Sequence, residues 1–238
     1  MLAALVLAGA AAPGLAGPPY QTDDPEPTDL HHWEIYSFAT LDGHRSNFDG
    51  ATGVDLNYGA AEGLQLTATL PIAFEHVGGA GWRSGFGDVE IGAKYRFIHD
   101  EERGIQAAIF PRVILPTADR GLGGHQVRLL LPLWAQKDLK DGTSLFGGGG
   151  YEINPGAGNR NFWQAGMALT HDFSTRLALG TEVTWQSADT SDGKSSVGVN
   201  LGLIRKLGGP ASLLLAAGPS FSGGQTSYHS YVALGFAF

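Results

Sequence analysis

Basic side chains gather in one part of this chain, at the spacing that puts them on one face of a β-strand. Lys94 and Arg96 lie two residues apart, and Arg112 and Arg128 sit in the next two alternating segments. Acids fall on either side of the group. Glu34, Asp55 and Glu75 precede it and Glu152, Asp172 and Glu182 follow it, with Glu90 and Asp138 as exceptions. Around a closed interior these residues would form a basic wall flanked by acidic walls. Such walls set up a transverse field that orients polar solutes and filters them by charge. The alternative is pairing across the interior that seals it, because buried charges must find partners.

Catalytic arrangements are poorly served. A barrel lipase needs His and Ser two apart on one strand face, with an orienting partner. His229 and Ser230 are adjacent and point to opposite faces, and His171 is followed by Asp172 with no nucleophile two residues on. A rim protease needs acids around a His, and His125 has only Asp119 nearby in sequence. His31 and His32 also point opposite ways on a strand, which places them poorly to hold one ion. The chain has no Cys, which excludes disulfides, thiolate metal sites and a Cys nucleophile. No catalytic residue, metal site or cofactor is expected. A net charge of −8 argues against a nucleic-acid partner.

The elements that must position these charges read as strands. The last eleven residues, Tyr228 to Phe238, alternate: Tyr228, Ser230, Val232, Leu234, Phe236 and Phe238 share one face, and His229, Tyr231, Ala233, Gly235 and Ala237 share the other. Counting back predicts about twelve strands: about 31–42, 51–59, 64–76, 87–98, 105–117, 127–138, 144–154, 161–172, 177–188, 195–206, 211–222 and 228–238. Turns rich in Gly, Asp, Asn and Ser separate them, among them 43–50, 78–85 and 223–227. Pro71, Pro111, Pro116 and Pro132 fall inside strand candidates and are expected at bulges or strand ends near the rim. The expected fold is all-β: an antiparallel up-and-down transmembrane barrel over residues 31–238.

Ahead of the strands, residues 1–16 are small and apolar and end in Gly14-Leu15-Ala16, a signal-peptide pattern without a positively charged n-region. That gap implies a start upstream of Met1 or a truncated record. Residues 17–30, rich in Pro and acid, are expected to form an irregular periplasmic leader.

Charged residues are only 16% of the chain, and Gly is 36 of 238. The polar strand face is also the Gly-rich one, which suits a narrow interior and turns the apolar face to lipid. Tyr95, Phe97, Trp185 and Tyr228 lie toward strand ends, where interfacial aromatics sit. Phe110, Trp134 and Tyr231 then point inward, to fill space beside the Gly147–Gly150 run or to touch a hydrophobic solute. Twelve strands about 4.8 Å apart and tilted about 40° give a backbone radius of roughly 12 Å, which leaves a channel of only several ångströms.

Several segments carry a resemblance. They are Gln21-Thr-Asp-Asp-Pro25 with His32-Trp-Glu34, Leu56-Asn-Tyr-Gly59, the run from Gly85 to Phe97, Leu115-Pro-Thr-Ala-Asp119, Leu131 to Lys137, and Gly147 to Gly156. Together they resemble the outer-membrane family named after a MetA pathway of phenol degradation. The resemblance implies an outer-membrane barrel that passes small solutes, aromatic or poorly polar ones among them, with Phe238 as part of the signal read by the barrel-assembly machinery. It carries no catalytic residues. The competing expectations are a sealed structural barrel and, less favoured, a lipid-acting enzyme.

Overall fold

A computed structural model describes residues 19–45, 47–79 and 81–238. The expected signal segment, residues 1–16, lies outside the described residues. Fourteen strands form a single antiparallel sheet. They are β1 (Trp33–His44), β2 (Asn47–Ala61), β3 (Leu64–Val77), β4 (Gly81–Phe86), β5 (Val89–Asp100), β6 (Ile105–Ile109) and β7 (Arg112–Leu115). β8 (Arg128–Asp138), β9 (Thr143–Ile153), β10 (Phe162–Ser174), β11 (Leu177–Gln186), β12 (Ser196–Gly208), β13 (Ala211–Ser222) and β14 (Gln225–Ala237) complete it. β4 and β5 share one edge of β3, and β6 and β7 share one edge of β8. The wall is therefore a barrel of twelve strands among the described residues. β1 closes it on β14, with Glu34 opposite Ala237 and Gly43 opposite Tyr228.

The two interruptions explain the prolines. Pro71 lies between the part of β3 that pairs with β4 and the part that pairs with β5. Pro132 lies between the β6-paired and β7-paired parts of β8, and Pro111 sits in the β6–β7 break itself. Proline has no N–H for the ladder, so it is tolerated where the neighbouring strand is broken. Pro111 and Pro116 flank the two ends of β7. Pro71 and Pro132 are thus mid-wall, not near the rim as expected. Residues 78–85 were expected as a loop, yet 81–86 form β4, paired with Ile72–Val77 of β3.

Side chains alternate across the wall as expected. Leu66, Leu70, Ile72, Leu131, Leu133, Met167 and Leu201 stand exposed on the outside, Leu201 at 70%. An apolar surface that extends around a barrel is unfavourable in water and matched to hydrocarbon. Aromatics border it at both ends. Trp33 lies tilted against Tyr58 at the end carrying the short turns, with centroids 4.7 Å apart. At the other end Tyr151 meets Trp163 at 4.8 Å, and Phe48 meets Trp82 at 5.0 Å. The inward face holds Lys94, Glu182, Asn200, Gln65 and Trp134, all buried.

Candidate functional site

Residues 19–30, expected as a periplasmic leader, lie within the barrel. The chain turns in at Leu30, which bridges Gly59, while the His31 N–H donates to the Gly59 carbonyl at 2.7 Å. Thr28 donates from its N–H and its Oγ1 to Gln65 Oε1, at 2.8 and 3.1 Å. Lys94 Nζ donates to Asp23 Oδ1 at 3.0 Å and to the Glu26 carbonyl at 3.2 Å, and lies 3.7 Å from Asp24 Oδ1. Farther on, the Thr22 N–H donates to the Glu182 carboxylate, which also accepts from Asn200 Nδ2 at 2.7 Å. Tyr20 ends against β11 and β12, where a Cβ on Gly202 would come within 2.2 Å of its ring. The physical reason is charge. A lysine buried to 1% exposure needs carboxylates, and this strap supplies them.

Burial also acts on the strap's own acids. It pushes the Asp24 carboxyl up to about 7, against the pull of Lys94. Burial raises Glu26 too, opposed first by Arg96.

The basic residues sit on β5, β7 and β8, and each meets a polar partner. Arg112 pairs with Glu90 at 3.2 Å. Arg128 bridges Asp88 and Glu152, each at 3.2 Å. Arg96 donates to Gln106 Oε1 at 2.7 Å. Glu75 pairs with Arg83 on β4. Asp172 packs against Gly142 near the short-turn end, and Glu182 holds the strap. Phe110 lies beneath two cations, 5.2 Å from Lys94 Nζ and 4.8 Å from Arg112 Cζ. Trp134 packs over Gly148, where a Cβ would come within 2.9 Å of the ring. Tyr231 lines the lumen with Tyr36.

Free space remains on both sides of the strap. Toward the long loops a cavity of ≈ 210 Å³ borders Gln21 and Thr22, and another of ≈ 240 Å³ borders Tyr20, Asp23, Lys94 and Arg112. Toward the short turns a cavity of ≈ 400 Å³ borders Asp24, Glu26 and Asp172.

Comparison with known proteins bears on this geometry. Residues 45–233, most of the chain, match the family profile described as "Putative MetA-pathway of phenol degradation". This chain belongs to that family. No curated protein sequence matches it. Among solved structures, an outer membrane channel from Pseudomonas putida F1 is similar at TM-score 0.73 and 14% identity, over 90% of this chain and 98% of that one. The KdgM porin is similar at TM-score 0.61 and 12% identity, over 86% and 99%. The translocator domain of the autotransporter NalP from Neisseria meningitidis reaches 0.57 at 13% identity, over 87% and 88%. At such identities the likeness is one of fold.

For this family member, sequence reasoning missed the strap residues Tyr20, Thr22, Asp23, Asp24 and Glu26. A signal was present. Glycines 166, 180 and 202 face inward on three neighbouring strands, and each makes room for Thr22 or Tyr20. An inward glycine stripe reserves space for a guest chain.

Proposed function

We propose that this protein is a passive outer-membrane channel for small solutes, narrowed by its own N-terminal strap. One observation carries the reading: the lumen is polar and holds open space on both sides of the strap. The family description and the fold shared with channels support it. The ring size allows a passage of several ångströms at most, so cargo is small. Poorly polar aromatic solutes stay within this reading through Phe110 and Tyr231, which border the chamber beside Lys94. Phe238, exposed at the short-turn end beside Trp33, is the residue we assign to recognition by the barrel-assembly machinery.

The strap favours one rival, a sealed structural barrel, because it is bonded to opposite walls. Planar-bilayer recording separates the two. Reproducible small openings are expected; persistent silence at high protein load would instead favour the sealed barrel. Substituting Arg112 and Arg128 by Ala should shift the current toward cations, since Glu90, Asp88 and Glu152 would keep their charge.

A further inference from the structure

The two chambers on the long-loop side differ in chemistry. The one beside Lys94 is lined by Asp23, Asp55, Glu90, Lys94 and Arg112. The other is bordered by one carboxylate, Asp42, whose Oδ1 lies 2.9 Å from His229 Nδ1. The rest of its lining is dominated by amides, hydroxyls and glycines.

These groups are arranged in tiers across β10–β13. Gln164 lies opposite Gln186, which lies opposite Ser196. The next tier runs Gly166, Thr184, Gly198 and Ser220. Glycines thus leave gaps between hydrogen-bonding groups. Gln164, Thr184, Gln186, Ser196 and Ser220 line the chamber as half-buried residues. Thr22 and Asn200, which close its strap side, are nine-tenths or more buried, and Thr22 Oγ1 and Asn200 Oδ1 have no hydrogen-bond partner among the described residues. A volume of ≈ 210 Å³ corresponds to about seven waters of liquid, the bulk of one small ring with several hydroxyls.

We propose that this chamber is a subsite for a small neutral polyhydroxylated solute of pentose size. Resting on the channel reading above, it names a solute class for it. Uncommitted amides and hydroxyls match a ligand that both donates and accepts at several points, and a site built for hydroxyls discriminates against analogues lacking them. An anionic solute finds no Lys or Arg in this lining. A bare aromatic finds little inward ring surface, because Trp134 is only 2% exposed and Trp185 lies on the strand face opposite that of Thr184 and Gln186.

The test uses the full chain in proteoliposomes, with osmotic swelling in D-xylose or in xylonate and chloride current recorded in parallel. Swelling in xylose faster than in xylonate is expected. The double variant Gln164→Leu, Gln186→Leu should lower the xylose rate by about ten-fold, on the scale of two lost hydrogen bonds, with chloride current kept. Thr184→Val, nearly isosteric, should lower it in the same direction and serves should the double variant fail to fold. Unchanged xylose rates in folded variants, or equal rates for xylose and xylonate, overturn the subsite and leave the channel standing. Absence of both current and swelling in the parent protein overturns the channel reading and this one with it.

Discussion

Lys94 Nζ lies 3.0 Å from Asp23 Oδ1, a contact between β5 and a segment 71 positions earlier in the chain. It ties the N-terminal strap to the basic wall. Replacing Lys94 by Met leaves Asp23 and Asp24 facing each other without a cation. Breaking a buried pair on one side costs about 3 kcal/mol or more. The expected result is a loosened strap and a larger single-channel conductance for Lys94→Met. Conductance equal to that of the parent would show that Lys94 does not hold the strap.

Gly202 provides the opposite anchor. A Cβ there would stand 2.2 Å from Tyr20 Cε1, and a leucine would occupy the space of the ring. Gly202→Leu should raise conductance by releasing the strap's end. The double variant with Tyr20→Ala should gain little beyond either single change, because both act on one contact. Additive increases in conductance would argue for separate effects.

Docking of the strap should depend on pH through Asp24. Its carboxyl is raised from 3.8 to about 7, chiefly by burial, with Lys94 opposing and Asp23 and Glu26 reinforcing the rise. The docked form therefore favours the protonated acid. That contribution is complete below about pH 4 and is lost as pH rises through about 7. Glu26, also raised by burial, acts in the same direction. Conductance should grow from pH 5 to pH 8, and Asp24→Asn should flatten the rise. A profile unchanged by Asp24→Asn would remove Asp24 from the account.

The outward face can be tested on one residue. Leu201 is 70% exposed near the middle of β12. Leu201→Arg should destabilise the barrel by about 2–4 kcal/mol if lipid surrounds it there. In water the same change would cost almost nothing. Urea unfolding in lipid bilayers measures the difference, and a neutral result would mean the wall is not in hydrocarbon at this depth.

How much of this was legible in the chain follows from the physics of a strand. Alternation has a period of two, so each strand declares its faces locally. That was enough to place Lys94, Arg112, Glu182, Phe110 and Trp134 inward and Val232 and Leu234 outward, and to count the strands of the wall. The terminal Phe238 set the register from which the rest followed. Partners were another matter. Which acid neutralises Lys94 depends on ring closure and on residues 19–30, a segment without period whose Pro and Asp content reads locally as an exposed leader. Only the closed barrel shows Asp23 beside Lys94, Tyr20 over Gly202, and Pro71 and Pro132 at breaks in the neighbouring strands. The period of a strand belongs to one segment; the neutralisation of a buried charge belongs to whatever the fold brings within a few ångströms of it.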